Sequence, residues 1–531
     1  MQPSLPSITE VAKAGKFGLK LPALPPNPFV GLRPFNDDEA LLFFGRHEQT
    51  IELLQQLHRT HFVAIVGSSG CGKSSLVRAG LIPKLKAGFL VEDRDQWLVA
   101  TMRPGKDPLG ALAESIIAAT TTGVAEDQRK DFTAAIRATG ASAIIERLEP
   151  RPEDSGANLL LLVDQFEELF RFGLESGKVE SRAEAAQFVD VMLALSEQRQ
   201  LSIYVVMTMR SDFLGDCDNF HGLPEAMNRS QYLVPRLTRE QLRQAIEGPI
   251  NLFGGSISAR LLDRALDDMR DKSDHLPVMQ HALMRTWELA SASGAAQVDL
   301  PHYEAAGGIE NALSKDAEDA LDGMDNDELK IAERMFQTLT DTDDRNRPVR
   351  RPTHLSEIEA ITRADRETVM RIIDRFRGGG RSFLTLTNAP DLLIDISHES
   401  LIRKWERLGQ WMKDEKSSCE IYLRLADAAK RRKTIGAELW HGVDLQQAVK
   451  WYEQNKPNAA WALRYNQKYD LSFDQVMEFF DESWGLLKRR MQEYIATERE
   501  IKLLKKKLLK LQIIIIISTA TGLLYWRLVS N

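Results

Sequence analysis

The chain has 531 residues, too many for one hydrophobic core, so its length calls for about three or four domains. A hydrophobic fraction of 43% and a charged fraction of 27% are ordinary for a folded protein, and a formal net charge of -7 argues against a general nucleic-acid binder, which is usually basic. The three cysteines, Cys71, Cys217 and Cys419, are widely spaced without metal-type pairing, which points to a reducing cytosol with neither a disulfide frame nor a zinc site.

In chain order, the first residues lack a basic region followed by an apolar stretch, so no secretory signal is read there. Residues 1–26 read instead as an extended Pro-rich leader, clearest in Leu21-Pro-Ala-Leu-Pro-Pro-Asn-Pro28. Residues 27–237 read as a nucleotide-binding core. Its most informative stretch is His61-Phe-Val-Ala-Ile-Val-Gly67-Ser-Ser-Gly-Cys-Gly72-Lys73-Ser74, a short apolar strand running into a glycine loop that closes on Lys-Ser. Such a loop curls its backbone N–H groups around a phosphate chain, and the helix that follows points its positive end at the same anion. Gly67 and Gly72 supply backbone freedom, and Ser68, Ser69, Gly70, Cys71 and Ser75 complete the cradle. Lys73 would reach the terminal phosphates as a point charge, and Ser74 would offer its hydroxyl to Mg²⁺. Cys71 reads as a small loop filler rather than a redox group. The runs Gln96–Met102, Asn158–Val163 and Leu201–Thr208 are apolar with little alternation, as in strands covered on both faces, and helical stretches lie between them. This alternation predicts an α/β fold, a parallel sheet wrapped by helices.

Beyond the core, residues 238–300 read as a helical lid in which Leu276-Pro277 interrupts the pattern. Residues 301–405 mix short helices with two strands, Ser382–Thr387 and Asp391–Ile396, turned at Asn388-Ala-Pro390; helices followed by a late hairpin suggest a winged helix, read here as a packing module rather than a DNA reader. Residues 406–485 read as wholly helical, with Ser472-Phe-Asp-Gln475 a capping box that opens a long helix. In residues 486–512, Tyr494, Thr497, Ile501, Leu504, Leu508 and Leu511 follow a three-four spacing, which fits a short coiled-coil seam and a single amphipathic helix equally well. Residues 513–529 carry an isoleucine block. Extended over Leu508 to Val529, with Lys510 and Arg527 snorkelling, it approaches the ~20 residues that cross a bilayer. Lys505, Lys506, Lys507 and Lys510 before it predict a cytoplasmic bulk and a single C-terminal transmembrane pass in the inner membrane, with Tyr525 and Trp526 at the far interface. No repeat of propeller or solenoid period is visible.

The chemistry concentrates at strand ends. Asp164 ends an apolar strand, where a carboxylate can hold Mg²⁺ beside the Ser74 hydroxyl. Directly after it stands Gln165, which orients water but is a poor base, and this favours slow hydrolysis. Of the two acids that follow, Glu167 is preferred to Glu168 as the group that deprotonates the attacking water. Arg210 closes the fourth strand at the carboxyl edge, where it would sense the terminal phosphate; the alternative is a salt bridge with Asp212.

These motifs carry a resemblance. Asn27-Pro-Phe-Val-Gly-Leu-Arg-Pro-Phe35, Phe43-Phe-Gly-Arg46, the phosphate loop, Asp164-Gln-Phe-Glu-Glu-Leu-Phe170, Thr208-Met-Arg210-Ser-Asp-Phe213, His275-Leu-Pro277-Val-Met-Gln-His-Ala-Leu283 and Asp395-Ile-Ser-His398-Glu-Ser-Leu-Ile402 together resemble the STAND-type NTPases. More narrowly the chain is similar to the bacterial novel STAND NTPase 1 type, often fused to WD40 repeats, over roughly residues 27 to 465. The resemblance implies an ATPase core, a small helical lid and a winged helix, closed over ADP at rest. It implies that Phe44 and Arg46 lie near the adenine, that Pro277 shapes the lid over base and ribose, and that His398 touches the ADP β-phosphate. It further implies defence or conflict signalling in bacteria. Neither an effector before residue 27 nor a large sensor after the last helix is read, which departs from many members. The resulting expectation is a switch that holds ADP when closed, takes ATP when triggered, self-associates and hydrolyses slowly, using ATP/ADP and Mg²⁺. Its expected partners are further copies of itself, an unidentified trigger or effector protein and the membrane, and no nucleic acid. Two rivals stay open: a motor or remodelling ATPase of the AAA type, and a non-catalytic membrane scaffold that binds nucleotide for stability.

Overall fold

The computed structural model describes residues 24–88, 96–121, 126–148, 157–170, 179–270, 276–342, 347–387, 391–465 and 470–529. Most of the expected leader, His275 and the Asn388-Ala-Pro390 turn lie outside them.

The continuous apolar runs form the centre of a parallel sheet. Strands β1 (Phe62–Gly67), β2 (Trp97–Met102), β3 (Asn158–Val163), β4 (Ile203–Arg210) and β5 (Gln231–Leu233) lie in the order β2-β3-β4-β1-β5. Every residue of β1 and β3 is buried. The reason is the two-residue period of a strand. Ala64, Val66, Leu161 and Val163 face one way, into a core completed by the helices Pro108–Thr120 and Val179–Glu197. Val63, Ile65, Leu160 and Leu162 face the other way, into a core completed by His47–Thr60 and the segment after the phosphate loop. The register sets Gly67 beside Arg210 and Met102 beside Val163, so all the carboxyl ends share one edge.

Past β5 the chain turns helical. Arg239–Leu252, Ala259–Asp268 and Leu276–Ala292 occupy the stretch read as the lid, and Leu300–Ala306 and Gly308–Leu321 continue the run of helices. Pro277 sits in the first turn of its helix, where its missing N–H costs nothing. Next come Asn326–Thr338, the short hairpin β6 (Thr340–Thr342) and β7 (Pro348–Arg350), strand β8 (Thr353–His354), and the helices Leu355–Thr362 and Arg366–Arg375. Strands β9 (Leu384–Thr387) and β10 (Leu393–Ile396) then pair antiparallel, with β8 on the far side of β10, giving the three-stranded wing of a winged helix. One apolar cluster runs from Ile246 and Leu283 of the lid segment to Phe336, Phe376 and Trp405 of the winged helix, where Phe336 meets Phe376 and Trp405 edge-on.

The C-terminal part is helical: Glu406–Ile435, Gly442–Asn455, Ala459–Leu463 and the 57-residue helix Phe473–Val529. Its core gathers Tyr422, Trp451, Trp461 and Phe480. Val476, Phe479 and Phe480 bury the start of the last helix, whereas Tyr494, Ile501, Leu504, Leu508 and Leu511 further along it are exposed.

The expected transmembrane pass is corrected here. Among the described residues, no helix is long and apolar enough to cross a membrane. The uncharged run between Lys510 and Arg527 is shorter than the ~20 residues a span requires, and Gln512, Ser518, Thr519 and Thr521 dilute its apolar character. Isoleucine density suggested a span that length and polarity do not sustain, and the inner-membrane location falls with it.

Candidate functional site

The site is built at the carboxyl edge of the sheet, where parallel α/β folds present their loops. β1 ends at Gly67, and the loop that follows reaches its helix at Lys73. Gly70 (φ 77°) and Gly72 (φ 95°) adopt left-handed backbone that a side chain would strain. Gly67 has a different reason for being glycine: a Cβ there would come within 2.7 Å of the Cys71 sulfur, which is buried behind the loop. After Ser75 the helix widens into a π-helical turn over Leu76–Leu81, a distortion common at functional sites.

Within the loop, the Lys73 ammonium donates to the carbonyls of Gly67 (2.9 Å) and Ser68 (2.7 Å). The Ser74 hydroxyl donates to Asp164 Oδ1 at 2.7 Å, and the Thr208 hydroxyl donates to the same oxygen at 2.7 Å. Arg78 donates to Asp164 Oδ2 at 2.8 Å. Burial alone would raise the Asp164 pKa. The charges of Arg78 and Arg103 and the two hydroxyls outweigh burial and hold the carboxyl below the usual range. An ionised oxygen beside a hydroxyl is a donor set for a hard cation that keeps most of its other ligands from phosphate and water. Among the described residues, no group of three or more His, Cys, Asp or Glu side chains could hold a metal ion unaided.

Gln165 has left-handed backbone (φ 61°), rare for a residue with a side chain and often found at functional sites. Its N–H donates to Thr208 Oγ1 at 3.0 Å, and its Oε1 accepts from Arg350 Nη2 at 3.1 Å. Glu167 lines the cleft and Glu168 does not. Glu167 accepts from the Arg210 backbone N–H at 3.3 Å, and burial pushes its carboxyl up to about 7. Glu168 turns aside to accept from the Gly105 N–H. Arg210 does form the salt bridge with Asp212 (2.7 Å), and its other guanidinium nitrogen grips both carboxylate oxygens of Glu399 at 2.6 and 2.8 Å. Glu399 also accepts from the Ser69 hydroxyl of the phosphate loop at 3.2 Å.

Glu399 and His398 come from the winged helix, directly after β10. His398 caps the helix Glu399–Lys404: its Nδ1 accepts the Ser400 N–H at 3.1 Å. Burial, with Arg350 next in effect, lowers its pKa to about 3, so the ring is neutral. A backbone N–H can only donate, so Nδ1 is the acceptor and the ring proton sits on Nε2.

The far end of the cleft is apolar, with Pro34, Leu42, Phe43, Phe44, Pro277 and Met279. Phe44 lies flat on Gly248, where a Cβ would meet the ring at 2.6 Å. Arg46 is buried beneath this end and donates to the carbonyls of Pro235 (2.8 Å) and Cys71 (3.1 Å), tying β5 to the back of the phosphate loop. The empty space of the cleft is about 1250 Å³ including its open mouth.

The structure thus brings Phe44, Arg46, Ser69, Gly70, Gly72, Lys73, Ser74, Ser75, Asp164, Gln165, Glu167, Arg210, Pro277 and His398 to one cleft. Gly67, Ser68 and Cys71 are not on its wall; the first two turn their carbonyls to Lys73. Sequence reasoning missed Arg103, Arg350 and the part played by Glu399. Arg103 follows β2 at the carboxyl edge, a position that could have flagged it. Glu399 lies inside a quoted motif, but nothing local pairs it with Arg210. Arg350 ends a three-residue strand in a basic stretch and leaves no periodic signal.

A family model described as Novel STAND NTPase 1 matches residues 28–438. No curated protein sequence matches the chain. Similar solved structures include the Aeropyrum pernix ORC1 protein in complex with DNA, at 12% identity and a TM-score of 0.37, covering 68% of this chain and 91% of that one. The ADP form of the Aeropyrum pernix ORC2 protein follows at 13% identity and 0.37, covering 74% and 96%. The Walker-type ATPase of Pyrococcus abyssi is similar at 11% identity and 0.35, covering 71% and 99%. The family match begins at the segment that closes the apolar end of the cleft and runs through the phosphate loop, lid and winged helix: the chain is a P-loop NTPase and belongs to the Novel STAND NTPase 1 family.

Proposed function

We propose that this ATPase is a signalling switch that rests closed on ADP, exchanges it for ATP when triggered, and hydrolyses ATP slowly. The observation that carries the reading is that His398, Glu399 and Arg350 of the winged helix line the same cleft as Lys73. A nucleotide in that cleft touches two lobes, so its release is coupled to their separation. In this reading the loop N–H groups and Lys73 bind the diphosphate from one side. The His398 Nε2–H donates to the β-phosphate from the other, Phe44 and Pro277 sandwich the base, and Arg46 stiffens the loop from behind. To turn a 1:99 equilibrium into 99:1, the two nucleotides must differ by about 5.5 kcal/mol in their preference for the two arrangements.

Mg²⁺ fits the donor set of Ser74 and Asp164 and, when bound, neutralises charge on the terminal phosphates. Gln165 orients the attacking water and Glu167 accepts its proton. With its carboxyl near 7, Glu167 is only partly ionised at neutral pH, which supports slow turnover. The exposed apolar residues Tyr494, Ile501, Leu504, Leu508 and Leu511 support self-association of the active form through a coiled-coil seam. We assign the switch to conflict or defence signalling, with an unidentified protein as trigger or effector, the winged helix packing rather than reading nucleic acid. The proposed units are 27–237 for the NTPase core, 238–300 for the lid, 301–405 for the winged helix and 406–485 for the helical region.

The test is mass spectrometry of nucleotide released from the freshly purified chain. Stoichiometric ADP supports the switch; an empty site contradicts it.

A further inference from the structure

Glu399 lines the cleft, and its carboxylate meets the core rather than standing free for a nucleotide contact. Glu399 belongs to the winged helix, yet it reaches across 189 residues of sequence to Arg210 and across 330 to Ser69. Both partners belong to the NTPase core and line the cleft together with Lys73. The Arg210 guanidinium meets Glu399 through both carboxylate oxygens, and Ser69 donates to one of them from the phosphate loop. A hydroxyl of the loop and a guanidinium at a strand end, converging on one anion, make the recognition set of a terminal phosphate. We infer that Glu399 is a built-in surrogate for the γ-phosphate and makes the closed form selective for nucleoside diphosphate over triphosphate.

The proposal rests on the reading of this cleft as the nucleotide site and deepens it. A diphosphate leaves the position between Ser69 and Arg210 to Glu399. A triphosphate brings a second anion to the same position, and two anions there repel while only one can use the donors. Binding of ATP must therefore expel Glu399, and Glu399 carries the winged helix with it. A second contact acts on the same side. Arg350, anchored to Asp395 Oδ2 (2.7 Å) and the Ile396 carbonyl (2.9 Å), takes the Gln165 side-chain oxygen at 3.1 Å. That oxygen is the acceptor with which Gln165 would orient water. The docked winged helix thus fills the terminal-phosphate position and engages the water-orienting side chain together, and both are released by one movement.

The experiment measures the dissociation constants of ADP and of a non-hydrolysable ATP analogue, with Mg²⁺, on the full chain and on Glu399→Gln. Glutamine keeps the shape and removes the charge. The ratio of triphosphate to diphosphate affinity is expected to rise about tenfold or more, and Glu399→Asp, which keeps the charge, should retain most of the diphosphate preference. A merely structural Glu399 would weaken or strengthen both nucleotides equally, and an unchanged ratio overturns the proposal. If the unmodified chain binds neither nucleotide, the reading of the cleft itself fails, which is a distinct result. Should Glu399→Gln not fold, the unmodified chain still decides. Its ADP complex should gain no affinity from beryllium fluoride, a terminal-phosphate mimic, and tight capture of that mimic in the closed form overturns the proposal.

Discussion

Replacing His398 by alanine isolates the grip of the winged helix on bound nucleotide. The His398 ring is neutral with its proton on Nε2, and its Nδ1 is committed to the Ser400 N–H, so one donor remains for a phosphate oxygen. A hydrogen bond from a neutral donor to a charged group contributes about 1.5 to 3 kcal/mol. At about 1.4 kcal/mol per factor of ten, its loss should speed ADP release roughly 10- to 150-fold. The assay is stopped-flow displacement of a fluorescent ADP analogue by excess ADP, with wild type and variant matched in melting temperature. Because the ring titrates near 3, well below its ordinary 6.5, the difference between the two should hold constant from pH 6 to 8. A change in release rate smaller than about threefold would refute the assignment of His398 to the phosphate, since even the weakest bond of this class exceeds it.

Hydrolysis should rise with pH through about 7, because burial lifts the Glu167 carboxyl to that value and only its ionised form accepts a proton. Glu167→Gln should abolish this rise and slow single-turnover hydrolysis at least 100-fold, whereas Glu168→Gln, which bonds Gly105 outside the cleft, should change it less than threefold. Burial of His281 should cost stability on acidification. His281 is fully buried and its folded pKa is near 3, below the ordinary 6.5, so the unfolded chain takes up a proton there that the folded chain refuses as pH falls below about 6.5, whereas Glu167, lifted to about 7, takes one up in the folded chain and acts in the opposite sense; chemical denaturation of the chain and of His281→Phe between pH 7.5 and 5 separates the two, and identical pH dependence of both proteins would contradict the histidine assignment. Phe336→Ala removes the ring that packs against Phe376 and Trp405 at the centre of the shared lid and winged-helix core, and should cost about 3 to 5 kcal/mol in urea unfolding.

What could be read from the sequence was what local physics dictates. The strands β1, β3 and β4 announce themselves because both of their faces are buried, and the phosphate loop because its glycines sit where a side chain strains or clashes. Asp164 and Arg210 were legible from the carboxyl-edge rule. Strand β5 was not, since Gln231, Tyr232 and Leu233 are not fully buried and too few to show a pattern. The polar contacts that join the lobes were illegible for a different reason. Arg210 meets Glu399 across 189 residues and Gln165 meets Arg350 across 185, and such pairs leave no periodic trace in either segment. The isoleucine block near the C-terminus has the apolar density of a span without the uninterrupted length, and density alone does not cross a bilayer.

In the proposed switch, diphosphate holds two lobes together and triphosphate lets them part. It is tested most directly by double electron–electron resonance between one spin label on the exposed face of the NTPase core and one on the exposed face of the winged helix, compared in ADP and in a non-hydrolysable ATP analogue with Mg²⁺. A single short distance is expected in ADP and a longer or broadened one in the triphosphate. The same narrow distance with both nucleotides saturating the site would contradict it.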